Sequence, residues 1–132
     1  MATTTIPDDR SYTEEHEWVL VAPGAELPDT PVRVGITSVA AAALGDLVYV
    51  DLPEVGSAIT AGETCGEVES TKTVSELYPP VSGTVTAVNS DAVDDPSIIT
   101  ADPYDAGWLF EVQATAAGNL LTAAEYAARN EG

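Results

Sequence analysis

Basic side chains are nearly absent from this sequence. Its 132 residues contain 4 lysines and arginines in total against 22 aspartates and glutamates, which gives a formal net charge of −18. A field of this sign repels the phosphates of nucleic acids and of anionic membrane surfaces, so the sequence predicts neither as a partner. It favours docking against basic patches of other proteins. A solvated acidic surface adapted to salt is an equally good explanation of the charge.

Cysteine, histidine and long apolar runs are scarce as well. Cys65 is the single cysteine, which excludes an intrachain disulfide, and His16 is the single histidine. No stretch is long and apolar enough to cross a membrane, and residues 1–10 lack the basic flank and apolar core of a secretion signal. No carboxylate spacing typical of a calcium-binding loop occurs, so no metal site is predicted. Together these features predict a protein of the reducing cytoplasm.

Length and apolar content predict one folded domain that spans residues 1–132. Hydrophobic residues make up 45% of the chain, enough for a core in a domain of this length. We expect a polar lead-in at 1–11 and a C-terminal helical segment at 118–132.

Short strands separated by turns dominate the pattern between these ends. Alternating or β-branched runs predict strands at 19–21, 32–36, 47–52, 57–60, 64–69, 73–78, 82–88 and 108–112. Only two short helices are expected, one at 39–44 that Gly45 ends and one at 120–128, while 89–107 reads as polar turns. The fold class is therefore mostly β, a small barrel or sandwich with short helices.

Lys72 is the only lysine of the chain. It falls between the alternating runs 64–69 and 73–78, which is the form of a β-hairpin with Lys72 at or beside its tip. The turn lacks the usual glycine or asparagine, so its type stays open. A side chain at such a tip projects into water, where an enzyme can acylate its amine and turn a cation into a tether. We therefore predict covalent attachment at Lys72; an ordinary surface lysine is the simpler alternative.

Short motifs along the chain carry a family likeness that extends from Tyr12 to Tyr126. The sequence resembles the H proteins of the glycine cleavage system, which are lipoyl-bearing carriers. Each motif is weak alone, but their order and spacing are specific. They are His16-Glu17-Trp18, Val34-Gly35-Ile36-Thr37, Leu44-Gly45-Asp46, the run 48–56, Glu69-Ser70 with Lys72, the run 78–83, Val88-Asn89, Asp102-Pro103-Tyr104 and Gly107-Trp108-Leu109.

The resemblance implies a fold, a cofactor and partners. The fold is the barrel-sandwich hybrid of lipoyl domains with a helix at the C-terminus, and the cofactor is lipoate in amide linkage to Lys72, put there by a lipoyl-attaching enzyme. A pyridoxal-phosphate glycine decarboxylase passes an aminomethyl group to the arm. A tetrahydrofolate-dependent aminomethyltransferase then takes the methylene and releases ammonia, and a flavin (FAD)-dependent dihydrolipoyl dehydrogenase reoxidises the dithiol. The carrier is a non-catalytic monomer that raises the effective concentration of one group at three enzymes.

The resemblance also gives Glu17 a role and marks two departures. In the family the glutamate before the tryptophan holds the amine of the loaded arm in a surface cleft, which suits a carboxylate because that amine is cationic. A solvated acid in an acidic stretch is the alternative for Glu17. The departures are Ser38-Val39, where the family has an acid followed by histidine or an aromatic residue, and Thr100-Ala101, where it has asparagine and serine. The first departure concerns the polar wall of the pocket that receives the arm, and the second concerns a neighbouring loop.

Four alternative functions remain at this point. A lipoyl relay would donate lipoate to other enzymes. A biotin carrier would prefer methionines where Thr71 and Thr73 flank Lys72. A thiol hydrolase would need Cys65 and His16 as a pair, in a setting that favours the thiolate. A structural or interaction domain would carry no prosthetic group.

Overall fold

The computed structural model of the chain describes residues 7–22, 24–118 and 120–129. Its elements in chain order are β1 (Ser11–Tyr12), β2 (Glu17–Val19), β3 (Val32–Ile36), α1 (Ser38–Leu44), β4 (Leu47–Asp51), β5 (Ala58–Ile59), β6 (Gly66–Ser70), β7 (Val74–Leu77), β8 (Val81–Val88), α2 (Ser90–Asp94), α3 (Ser97–Ala101), β9 (Phe110–Ala117) and α4 (Ala123–Arg129). None of the helices in the described ranges is long and apolar enough to span a membrane.

The strands form two antiparallel sheets. One has six strands in the order β1-β2-β3-β9-β8-β5, and the other has three in the order β4-β6-β7. Side chains of both sheets share one hydrophobic core, to which Val34, Val85 and Val112 contribute from the larger sheet and Val50 and Val68 from the smaller one. The prediction of a mostly β fold with short helices is confirmed, in the form of two packed sheets rather than one closed barrel.

A smaller aromatic cluster docks α4 onto the first strands. The rings of Tyr12 and Tyr126 stack with centroids 5.1 Å apart and planes 17° apart. The Trp18 ring lies over Gly35, where a Cβ would come within 2.6 Å of a ring carbon. Only glycine therefore leaves room for the indole, whose Nε1 donates to the carbonyl oxygens of Ile36 and Pro103 at 3.0 Å each.

Several element boundaries differ from the expected ones. The second strand is Glu17–Val19 rather than 19–21, and the last strand begins at Phe110 and continues to Ala117, five residues beyond the predicted end. The C-terminal helix begins at Ala123 rather than 120. The longer last strand is explained by β8, its antiparallel partner, which pairs with it as far as Ala117. That pairing supplies main-chain hydrogen bonds to the end of the strand. A run of small residues in the sequence does not predict such a pairing.

The segment 89–107 is not a plain run of turns, because it holds the two helices α2 and α3. Each has only five residues, too short for a 3.6-residue apolar period to show in the sequence. One buried side chain from each, Ala92 and Ile99, enters the core.

The end of the expected polar lead-in, 1–11, is ordered by long-range contacts. Arg10 is buried and its guanidinium lies 4.7 Å from the centroid of the Trp18 ring and 5.4 Å from that of Tyr104. Its Nη1 donates to the Tyr104 carbonyl oxygen at 2.9 Å. Residues 1–6 of the lead-in, and residues 119 and 130–132 of the expected C-terminal segment, lie outside the described part of the chain.

Candidate functional site

The tip of the β6–β7 hairpin carries Lys72, as the sequence predicts. Glu69 pairs with Val74, which leaves the four residues Ser70–Thr73 as the turn. The Ser70 amide donates to the Thr73 carbonyl oxygen at 2.8 Å, and the Ser70 hydroxyl accepts from the amides of Lys72 and Thr73 at 3.1 Å each. His16 is the one non-glycine residue with positive φ in the described ranges, so the turn is neither type I′ nor II′. The serine hydroxyl replaces the glycine or asparagine that the sequence lacks here.

The Lys72 side chain is exposed and its stem lies over Gly45, the residue that ends α1. A Cβ placed on Gly45 would sit 3.4 Å from Lys72 Cε and 3.5 Å from Nζ. The next residue of the same loop braces the turn, because the Asp46 carbonyl oxygen accepts from the Thr71 amide at 3.1 Å. The tip is thus supported by the loop between α1 and β4.

A cavity of about 120 Å³ opens beside this loop, between α1 and β7. Ala40, Ala43 and Leu44 of α1 form one wall, Ser75 and Leu77 of β7 belong to the other, and Glu17 lines it as well. Leu44 immediately precedes Gly45, so the cavity lies one residue away from the glycine that Lys72 contacts. Much of this lining is apolar, which suits a hydrocarbon chain.

Glu17 is a buried carboxyl group rather than a solvated one. Its side chain is 2% exposed, and its Oε2 accepts from the Tyr78 amide at 2.8 Å. Its Oε1 is buried without a hydrogen-bond partner. Burial raises the pKa of Glu17 to about 9, with the Tyr78 amide working in the opposite direction and the charge of Glu15 adding to the rise. Glu17 is therefore protonated at neutral pH, and one of its oxygens lacks the partner that a buried polar atom requires.

His16 fixes the main chain from which Glu17 projects. It adopts φ 68°, which few residues other than glycine tolerate, and its amide and carbonyl are bonded to Thr13 (3.1 Å) and Thr37 (2.9 Å). Its Nδ1 lies 2.6 Å from the hydroxyl of Tyr126 on α4, and that hydroxyl lies 2.7 Å from Thr37 Oγ1. Burial lowers the pKa of His16. Contacts with Thr13, Thr37 and Tyr126 of the C-terminal helix α4 thus hold His16 in place.

Two further carboxylates that the sequence analysis did not single out, Glu15 and Glu76, also line the cavity. Both are exposed. A signal for Glu76 exists in the sequence, since it lies four residues after Lys72 on the strand that leaves the hairpin tip. The acidic stretch 14–17 gives no comparable signal that would separate Glu15 from its neighbours.

The two departures from the family pattern do not reach the cavity lining. Val39 packs against the aromatic cluster of Tyr12, Trp18 and Tyr126. Thr100 lies in α3, where its hydroxyl donates to the Ser97 carbonyl oxygen at 3.0 Å. The side chain at position 39 therefore faces the aromatic cluster and does not line the cavity.

The surroundings of Cys65 and His16 do not support the nucleophile and base of a thiol hydrolase. Cys65 is half-buried, and burial, together with the charge of Glu17, raises the pKa of its thiol to about 12. The imidazole Nδ1 is engaged with Tyr126. A thiol with so high a pKa is not the activated nucleophile of a hydrolase. Over the described ranges, no three His, Cys, Asp or Glu side chains come together in a way that could hold a metal ion.

The chain matches known proteins over nearly its whole length. The family model described as "Glycine cleavage H-protein" matches residues 10–131. A glycine cleavage system H protein of Corynebacterium aurimucosum is 55% identical over 125 residues, which cover 95% of each chain. One of Mycobacterium avium is 58% identical over 118 residues, which cover 89% of this chain and 86% of that protein. The crystal structure of a glycine cleavage system H protein from Mycobacterium marinum superposes with a TM-score of 0.94 at 67% identity and covers 95% of this chain and 98% of that one.

The matched span, residues 10–131, contains the hairpin with Lys72, the residues that line the cavity, and Glu17. The chain belongs to the glycine cleavage H-protein family, the non-catalytic lipoyl carriers of the glycine cleavage system.

Proposed function

We propose that Lys72 carries lipoate in amide linkage and that the cavity beside α1 receives the loaded arm. The observation that carries this proposal is Glu17, which lines a cavity next to the loop that supports the hairpin tip and whose buried Oε1 has no hydrogen-bond partner. Lys72 is the only lysine, so no other side chain of the protein offers an amine for the linkage.

The cavity lining fits both parts of such an arm. Ala40, Ala43 and Leu44 offer an apolar wall to the hydrocarbon chain, and Glu17 offers a polar end. Bound lipoate supplies a dithiol–disulfide pair that can accept and release a one-carbon fragment. Glu17 is neutral while the cavity is empty. A cation at Oε1 would lower its pKa and release its proton, so the carboxylate and an ammonium group would form an ion pair shielded from water.

The carrier then serves its partners in turn. In this proposal it receives an aminomethyl group from the pyridoxal-phosphate glycine decarboxylase, yields it to the tetrahydrofolate-dependent aminomethyltransferase, and presents the dithiol to FAD-dependent dihydrolipoyl dehydrogenase. The lipoyl-attaching enzyme acts on Lys72 before this cycle. A monomeric state belongs to the same proposal, because a single copy must present one hairpin tip to several enzymes. A cytoplasmic location is also part of the proposal.

A row of carboxylates across the smaller sheet supports docking to basic surfaces. Asp51 pairs with Glu67, and Glu67 pairs with Glu76, so three carboxylates lie side by side across β4, β6 and β7. Like charges at directly opposed positions destabilise a sheet, and a partner's lysines or arginines would relieve that repulsion.

Mass spectrometry of the protein purified from its own host tests the proposal. We expect an intact mass increased by one lipoyl group, with peptide mapping placing the increment on Lys72. A biotin-sized increment would point to a carboxylase carrier instead. An unmodified Lys72 in a host with working lipoyl-attaching enzymes would refute the carrier function and leave an interaction domain.

A further inference from the structure

We infer that Gly45 is a positioning residue for Lys72: the missing side chain at Gly45 gives the end of the lysine side chain a resting place that fixes where its amine lies at the hairpin tip. This inference rests on the proposed attachment at Lys72 and adds a residue that controls it. It starts from the contact between the two residues, where a Cβ on Gly45 would touch Lys72 Cε at 3.4 Å and Nζ at 3.5 Å.

The main chain on both sides of this contact is fixed. Gly45 ends α1 with φ 79° and ψ −142°, and its amide donates to the Ala41 carbonyl oxygen at 3.1 Å. On the other side, the Ser70 hydroxyl holds the Lys72 amide at 3.1 Å, and the Asp46 carbonyl oxygen holds the Thr71 amide at 3.1 Å. With both backbones held, the direction of the amine depends on the rotamers of the lysine side chain alone.

A lysine at a hairpin tip has many rotamers and loses more freedom on ordering than most side chains. The surface over Gly45 removes part of that freedom in advance. A side chain longer than a methyl group at this position would occupy the resting place and displace the amine from its fixed position.

The positive φ of Gly45 by itself would favour glycine, so the test must separate backbone strain from obstruction. Gly45→Ala introduces the strain but only an ordinary van der Waals contact with the lysine, whereas Gly45→Leu introduces the same strain and also fills the resting place. Gly24 is a matched control position. It has the same φ of 79°, and a Cβ there would meet nothing within 4 Å. Gly24→Ala and Gly24→Leu therefore also place a side chain at a positive φ, but without any contact with Lys72.

The direct measurement uses the single lysine of the chain. Protein grown with 13C-labelled lysine gives one set of Cε signals. We expect nuclear Overhauser effects between the Lys72 Cε protons and the Gly45 Cα protons in the unmodified protein. The absence of this contact in solution would refute the inference. This experiment needs no variant and no lipoate.

The functional measurement is steady-state lipoyl attachment to the purified unmodified protein by the host's lipoyl-attaching enzyme. We expect Gly45→Leu to lower kcat about tenfold relative to Gly45→Ala, because a misdirected amine loses near-attack geometry. KM should be unchanged, since the surface that docks the enzyme is intact. Gly45→Ala should stay close to the wild-type kcat, as should both Gly24 variants. Equal kcat for Gly45→Leu and Gly45→Ala would overturn the inference.

The two proposals fail differently. If the wild-type protein accepts no lipoyl group, the proposed attachment fails, while the Lys72–Gly45 contact is still decided by the nuclear Overhauser measurement. If the wild type is modified and Gly45→Leu is modified equally well, the attachment stands and the positioning role is wrong. Should Gly45→Leu not fold, the measurement on the wild-type protein decides alone.

Discussion

Replacing Glu17 with glutamine is expected to flatten the dependence of the protein's stability on pH. Glutamine has the shape of the protonated acid, and its amide oxygen can accept from the Tyr78 amide as Oε2 does. The variant removes the ionisation and keeps this bond. The two proteins should therefore have similar free energies of unfolding at pH 5 and should diverge as the pH rises.

The sign of the divergence follows from where the proton is bound. Burial raises the pKa of Glu17 in the folded protein from 4.5 to about 9, so between these values the unfolded chain is ionised while the folded protein keeps its proton. The folded state then binds one more proton than the unfolded state, and its stability falls as the pH rises through this window. Each pH unit costs about 1.4 kcal/mol. Between pH 7.0 and 8.5, wild type should lose about 2 kcal/mol more than Glu17→Gln.

Urea unfolding followed by tryptophan fluorescence measures this difference, because Trp18 is buried in the folded protein. His16 also titrates, with a pKa lowered by burial, but it is present in both proteins and its contribution cancels in the comparison. Glu63→Gln is the matched control: it makes the same chemical change at an exposed side chain and should leave the pH profile of wild type in place. Parallel profiles for wild type and Glu17→Gln would refute the reasoning that Glu17 is buried as a neutral acid.

Three further predictions concern residues that stabilise the structure around the site or carry charge on the smaller sheet. Tyr126→Phe removes the hydroxyl that meets His16 Nδ1, and it should lower the free energy of unfolding by about 1–3 kcal/mol in urea titrations; no loss would mean that this contact contributes nothing to stability. Gly35→Ala places a Cβ 2.6 Å from the Trp18 ring and should cost about 1–3 kcal/mol, seen as a lower Tm; an unchanged Tm would contradict the close packing of the indole on Gly35. Glu67→Gln removes the middle charge of the three paired carboxylates on the smaller sheet, so it should raise Tm at low salt and by less in 1 M NaCl, where screening already weakens the repulsion. An equal rise at both salt concentrations would contradict the electrostatic cause.

The hairpin that carries Lys72 could be predicted because its evidence is local. Two alternating runs on either side of a short polar stretch specify antiparallel pairing, and the structure pairs Glu69 with Val74. The turn type could not be predicted in the same way. It depends on the Ser70 hydroxyl, which accepts from two amides, and a serine in a sequence does not show where its hydroxyl will point.

The environment of Glu17 could not be predicted from its neighbours. Glu14 and Glu15 are exposed, and the same acidic stretch suggested a solvated side chain for Glu17. Its surroundings come from residues distant in the sequence: Tyr78, whose amide donates to its Oε2, directly follows β7 and lies 61 residues away. The helices α2 and α3 were missed for the opposite reason: they are local, but five residues are too few for the spacing of apolar side chains to reveal a helix.

The hydrogen bond between Tyr126 and His16 can form only after α4 has been synthesised. The turn that presents Lys72 is closed by residues within four positions of one another, and its brace, Asp46, has already been made when the hairpin emerges. The wall that carries Glu17 is secured only when α4, more than fifty residues later, reaches back to the start of the chain. The cavity wall therefore depends on α4, and a nascent chain that has not yet reached Tyr126 lacks the contact that holds the residue beside Glu17.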